Sequence, residues 1–346
     1  MSTRIGVLNT VCWTAATLLL PLAASAAPPV PTNLPNTMAH LAPPAAFNAV
    51  TASPEALLDN GFPPRPDAKS APQAYERWQH AVTSGATRIL PQLRQTTIKH
   101  GPRMASSRQN GTSPNWSGYA VVNGTATYSG PSFSFIIGDW VVPGASQAIG
   151  ACTGTWDYSS TWVGIDGYNS NDVLQAGTES DAYCGTDGKA IYSGAWYEWF
   201  PLGEVAITNL PTAPGDDMYV QVYSTTPTTG HAYILNYSKN QAVSLTFKAP
   251  AGTVLVGNSA EWIVERPGIG GGLATLTNYT QDFMTNAYAQ DFLGRTEAPG
   301  YVIPGSVSVP LTMLDNAGSP ISQAVLSGTA SLWFYNLNSA LNASLP

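Results

Sequence analysis

From about residue 115 to the end, apolar residues recur every second position in short runs broken by Gly, Pro, Asn and Asp. Val243-Ser-Leu-Thr-Phe-Lys248 is the clearest run, and Ser132–Phe135, Tyr219–Tyr223, Ala232–Tyr237, Val307–Leu311 and Ser331–Tyr335 repeat the pattern. A period of two is that of a strand with one buried face. Turn sequences such as Pro214-Gly-Asp-Asp217 and Pro250-Ala-Gly252 separate the runs. No amphipathic helical pattern stands out after residue 110. Many short strands joined by turns predict an all-β domain, an antiparallel sandwich or a barrel.

Upstream, the chain has a different character. Residues 1–26 read as a signal peptide: Arg4, an apolar stretch through Ala15-Ala-Thr-Leu-Leu-Leu-Pro-Leu22, and Ala24-Ser-Ala26 as a small-residue cleavage site. No later stretch is apolar enough to suggest a membrane helix, so the expectation is a secreted, soluble protein. Residues 27–60, rich in Pro and Ala, predict extended or disordered chain. Tyr75, Trp78 and Val82 stand at helical spacing within 71–99. Pro91 and Gly101-Pro102 limit that helix.

Charge divides the chain at nearly the same place. Residues 1–108 carry nine basic and four acidic residues, a net of +5. Residues 109–346 carry five basic and 17 acidic residues, a net of −12. Such asymmetry marks an interaction segment. The basic residues are too sparse for nucleic acid or a membrane surface, so the expected partner is the chain's own acidic domain. We therefore expect a basic propeptide over 27–109, ending between about Arg103 and Asn115, and a domain over 110–346. Carboxylates neutralise in acid while Lys and Arg stay charged, so the attraction should fade as pH falls. That predicts an acid-released zymogen, expected as a monomer.

Of the three cysteines, Cys12 lies in the signal, which leaves Cys152 and Cys184 to pair in an exported protein. Neither their spacing nor any His cluster suggests a metal, and no cofactor is expected. Rival hydrolase chemistries lack residues. His231 is the one histidine of the domain and is expected to be structural or exposed, and no GxSxG elbow occurs. Two polar residues stand out for their apolar neighbours: Gln175 after Val173-Leu174, and Glu261 before Trp262-Ile-Val264. Spacing alone reads them more readily as satisfied core residues than as a strained pair. Glu261, Ile263 and Glu265 share a strand face, with the two carboxylates about 13 Å apart along it. That is too far for a retaining glycosidase pair.

Three blocks in order change that balance: Trp162-Val-Gly-Ile-Asp-Gly167 running on to Val173-Leu-Gln-Ala-Gly177, then Ala195-Trp-Tyr-Glu-Trp-Phe-Pro201, then Ala260-Glu-Trp-Ile-Val-Glu265. Together with Asn115-Trp-Ser-Gly-Tyr119, they resemble the glutamic peptidases, or eqolisins, over roughly residues 115–346. The resemblance implies a β-sandwich of two large curved antiparallel sheets with a concave substrate cleft, and acid-active endopeptidase chemistry on polypeptides. It places the catalytic dyad on Gln175, as oxyanion donor, and Glu261, as general acid/base. Trp162, Asp166, Glu198 and Trp196 would line or support the cleft. Glu179 stands where the family leads one to expect Asp, and no role is assigned to it. A secreted carbohydrate-binding or polysaccharide-active sandwich is the alternative, since tryptophan-rich concave sheets also suit sugars.

Overall fold

The computed structural model describes residues 1, 26–104, 111–124, 127–148 and 150–337. The expected signal peptide therefore lies almost wholly outside the described residues, as does much of the expected propeptide end. Two helices occur among the described residues, α1 (Pro54–Asp59) and α2 (Pro72–Thr83). The rest is strand and turn, and all but two short strand pairings among the described residues are antiparallel. The longer strands are β1 (Trp116–Val122), β2 (Phe133–Val141), β3 (Ser160–Ile165), β4 (Leu174–Gly185) and β5 (Gly188–Trp199). They continue with β6 (Asp217–Thr226), β7 (Thr229–Asn236), β8 (Gln241–Lys248), β9 (Ser259–Glu265) and β10 (Asp282–Asp291). The last are β11 (Val307–Leu314), β12 (Pro320–Leu326) and β13 (Leu332–Asn336).

Two sheets result. The first runs β11-β1-β9-β3-β4-β5 and then Val205–Ile207. The second runs β8-β7-β6-β2-β10-β13-β12. β11 closes one side of the sandwich, pairing with β1 through Leu311 and with β12 from Thr312 onward. Alternation along each strand sorts the side chains. Val163, Ile165, Trp262 and Val264 point into the core between the sheets, where they meet Ile136, Val220 and Ile234. The Trp262 indole N–H donates to the Ile137 carbonyl at 2.8 Å and so satisfies its one polar atom inside the core. The opposite alternation leaves Trp162, Gly164, Gln175, Glu198, Glu261 and Glu265 on the outer, concave face of the first sheet. Cys152 and Cys184 are bonded, as expected.

The upstream segment is more ordered than its composition predicts. Thr37–Ala39 adds antiparallel to β8, and Thr87–Arg88 pairs parallel with the same strand. Leu93–Gln95 adds to Val205–Ile207. An edge strand offers unpaired N–H and C=O groups, and here one segment covers an edge of each sheet. α1 forms because Ser53 caps it, its hydroxyl accepting from the Ala56 amide at 3.2 Å, with Pro54 at the first helical position. α2 falls where Tyr75, Trp78 and Val82 predict it. It ends at Thr83, ahead of Gly85 at φ 71°, rather than running on toward Pro91. Its buried stripe is Ala74, Trp78 and Ala81. Ala74 and Ala81 pack on tyrosines of the second sheet, while Trp78 joins Ala49, Leu57 and Phe62.

Candidate active site

β3 lies at the centre of the site because both neighbours pair with it in register. Gly164 has Gln175 of β4 on one side and Glu261 of β9 on the other. Gln175 in turn pairs with Glu198 of β5, and Ser160 lies between Glu179 and Glu265. Every one of these carboxyls is fully or almost fully buried. Gly177 faces Trp162 across the strand pair, and any side chain there would run into the Thr161 carbonyl and Trp162 itself. The glycine thus makes room for the indole, which stands edge-on to Trp116 at 5.0 Å between centroids.

The cleft holds the chain's own residues 98–104. Glu204 N–H donates to the Ile98 carbonyl at 2.9 Å. Lys99 exchanges two main-chain hydrogen bonds with Gly268, at 3.1 and 2.8 Å. At His100 the amide N–H donates to Glu198 Oε2 at 2.9 Å, and the carbonyl accepts from Gln175 Nε2 at 2.5 Å. Asn115 Nδ2 reaches the Pro102 carbonyl at 3.2 Å, and the Arg103 amide donates to the Gly167 carbonyl at 2.9 Å. The His100 ring is wholly buried and stacks on Trp196 at 3.9 Å between centroids. Its Nε2 lies 2.8 Å from Glu179 Oε1 and 3.7 Å from Glu204 Oε2, and its Nδ1 lies 3.5 Å from Glu265 Oε2.

Burial opposes charge on that imidazole, but the Glu179 carboxylate, helped by Glu204 and Glu265, outweighs it and holds the His100 pKa well above the ordinary value. Burial also raises Glu179, Glu198, Glu261 and Glu265, and for Glu261 and Glu198 the rise is large. Glu265 is the best furnished of them. Its Oε2 accepts from Trp162 Nε1 at 2.9 Å and its Oε1 from Asn115 Nδ2 at 3.2 Å, and these donors with His100 partly offset its burial. The Glu261 carboxyl has weak polar neighbours in Ser259 and the Tyr168 main chain, which offset its burial only a little, and the charges of Asp166 and Asp172 push it up further.

The residues expected in the cleft divide accordingly. Gln175, Glu198 and Trp196 touch the bound segment directly. Trp162 acts on Glu265 through its indole N–H. Asp166, in the left-handed region at φ 70°, accepts from the amides of Val256, Gly257 and Asn258 at 2.7, 3.0 and 2.9 Å. It ties the β9 approach to the end of β3 and stands behind the cleft. His231 is structural, stacked on Tyr223 and hydrogen-bonded to two threonines. Sequence reasoning missed His100, Glu179, Glu204 and Asn115. The +5 charge of the upstream segment could have drawn attention to its basic residues, but nothing in the sequence singles out His100 among them.

His100, Glu179 and Glu204 are also close enough to be asked whether they hold a metal, their ligand atoms lying within 4.8 Å of one another. The 2.8 Å contact from His100 Nε2 to Glu179 is hydrogen-bond length. Two ligands each about 2.0–2.2 Å from a tetrahedral zinc stand farther apart than that. The trio is closed as an ion pair.

A curved antiparallel sandwich with buried carboxyls and a side-chain amide gripping an extended peptide suits a hydrolase that acts on polypeptides. The model of the Peptidase A4 family matches residues 114–303, and the chain belongs to that family, the glutamic peptidases. It is a glutamic endopeptidase. It is 29% identical to Aspergillopepsin-2 of Aspergillus niger over 231 residues, 62% of this chain and 75% of that one. Scytalidopepsin B of Scytalidium lignicola is also 29% identical, over 176 residues that make up 50% of this chain and 60% of the other. The fold is similar to that of scytalido-glutamic peptidase crystallised with a transition state analog inhibitor. The TM-score is 0.52 at 22% identity, covering 65% of this chain and 98% of that one.

Proposed function

We propose that the protein is a secreted, acid-activated zymogen whose mature domain cleaves polypeptides with Gln175 and Glu265. The observation that carries this reading is the backbone of His100, held by Gln175 at its carbonyl and Glu198 at its amide. A side-chain amide donating to a peptide carbonyl is an oxyanion donor in waiting. Glu265 supplies the proton traffic: as carboxylate it takes a proton from water, and as acid it returns one to the leaving amine. Sequence reasoning puts that role on Glu261, four residues earlier on the same face. Glu265 is preferred because it reaches the bound segment and lines the cavity of about 540 Å³ left open beside Lys99, Gly101, Pro102 and Phe200. Glu261 becomes a buried neutral acid supporting β9.

Residues 27–104 would act as the intramolecular inhibitor, blocking the cleft and covering sheet edges. Their charge is not used diffusely. Among the described residues of this segment, only Arg77 and His100 pair with acids of the domain, Arg77 lying 3.1 Å from Asp139 and 3.1 Å from Asp217. Acid release is better carried by another histidine. His40 Nε2 lies 3.0 Å from Thr246 Oγ1, which lies 2.9 Å from His231 Nδ1. One hydroxyl can donate to one ring and accept from the other, so neutral rings suit it and two imidazoliums do not. Burial and then nearby Arg88 lower the His40 pKa, against a weaker pull from Asp59. Burial, His40 and Lys248 lower that of His231 to about 3. A histidine with a depressed bound-state pKa gives docking energy that is present above pH ~6.5 and lost as pH falls below it. His100, with a raised pKa, keeps its grip in acid while the His40 face lets go.

The test is to hold the purified precursor at pH 3 to 7, then assay casein hydrolysis and size. Loss of about 80 residues together with acid-limited proteolysis supports the reading. A folded, processed protein that binds polysaccharide and cuts no protein at any pH would refute it.

A further inference from the structure

The grip on residues 98–104 also identifies a particular bond and a particular side chain. We infer that His100–Gly101 is the bond the enzyme first cuts in its own precursor, and that the pocket formed by Trp196, Glu179 and Glu204 selects an imidazolium side chain on the acyl side of the scissile bond. This rests on the reading of Gln175 and Glu265 given above.

The geometry follows the main chain atom by atom. Of the segment's carbonyls, that of His100 is the one that accepts from Gln175 Nε2, at 2.5 Å. On the amino side, the chain is fixed by Glu198 at the His100 amide and by the Gly268 ladder at Lys99. On the carboxyl side, Asn115 holds the Pro102 carbonyl at 3.2 Å while also donating to Glu265. The same asparagine therefore places the departing strand next to the group that protonates it. Hydrolysis here adds water to the His100 carbonyl carbon as Glu265 takes the water's proton. The C–N bond to Gly101 then breaks, Gly101 leaves as an amine carrying the proton from Glu265, and His100 ends in a carboxylic acid.

The side chain is equally specified. An indole face at 3.9 Å and carboxylates at 2.8 and 3.7 Å surround the ring. A planar cation able to stack and to donate at its edge satisfies both surfaces. A neutral aromatic residue would stack but leave Glu179 without its donor, and a carboxylate would add charge to two others. Apart from the Asp181 carboxyl beside it, the imidazole is the partner of Glu179, so the pocket's hydrogen bonding depends on what enters it.

The experiment is rapid acidification of the full-length precursor, with intact mass and N-terminal sequencing of the earliest products. A first new terminus at Gly101 is expected, and a first cut elsewhere with His100–Gly101 left intact would overturn the bond assignment. Because a His100 variant of the precursor can misfold, the pocket is tested in trans. Mature enzyme at pH 4 is given peptides spanning residues 97–104 with His, Ala or Glu at position 100. His should exceed Ala by about tenfold or more in kcat/KM, and Ala should exceed Glu. Equal rates for the three would refute the pocket's selectivity. If Glu265→Gln retains casein hydrolysis, the dyad reading has failed. If casein hydrolysis depends on Glu265 but Gly101 never appears as a terminus, only the present inference has.

Discussion

Glu265, the proposed acid/base, illustrates how single donors tune a buried carboxyl. Burial raises its pKa, and the indole of Trp162 and amide of Asn115 pull it back. Trp162→Phe leaves a smaller aromatic ring and removes one donor to the anion, so the Glu265 pKa should rise. The acid limb of kcat/KM in the mature enzyme should move to higher pH, and an unmoved limb would mean that the limb belongs to another group. Asp166 is a second case. Three amides converge on it, and hydrogen bonds to charged groups contribute about 1.5–3 kcal/mol each before losses elsewhere. Asp166→Ala should therefore lower urea stability by about 3 kcal/mol or more. A change under about 1 kcal/mol would show that water replaces the carboxylate at those amides.

Among the elements, the concave sheet was legible in part. Alternation along Ala260–Glu265 follows from period two, and the segment is a strand, but that it and the Gln175 block flank the Trp162 strand comes from the structure. Which of two glutamates on one face reaches residues 98–104 was not legible, because that depends on how a twisted sheet places residues four apart against a chain arriving from elsewhere. His100 was invisible for the same reason. Its partners Glu179, Glu204 and Glu265 come from three separate stretches far along the chain. The early strand Thr37–Ala39 was missed because its hydrogen bonds come from β8 rather than from local propensity. That strand leads directly into the histidine bridge. His40→Gln retains a donor and acceptor but cannot gain charge, so acid processing of the precursor should need a lower pH, with its midpoint shifted down by about half a unit or more. An unchanged midpoint, followed by gel or intact mass across a pH series, would remove His40 from the trigger.

At the scale of the whole molecule, the upstream segment places residues 98–104 in the cleft and covers an edge of each sheet. If that segment is removed as proposed, the domain left behind needs other sources of stability. The Cys152–Cys184 bond, spanning 32 residues, should contribute about 3–4 kcal/mol by chain entropy. Reducing it in the mature domain should lower the denaturation midpoint measurably at pH 4. No loss there would mean that the strand pairs of β4 and β5 already hold this region.

The most direct test of the account is casein hydrolysis from pH 2 to 8 by the acid-processed wild type and three variants, each verified as folded by circular dichroism. Glu265→Gln should abolish turnover, and Gln175→Ala should lower kcat by about 10²–10³-fold, the usual loss of one oxyanion donor. Glu261→Gln should stay within about tenfold of wild type, since an amide replaces a carboxyl that burial already keeps neutral. Full activity in Glu265→Gln beside an inactive Glu261→Gln would contradict the account and return the catalytic role to Glu261.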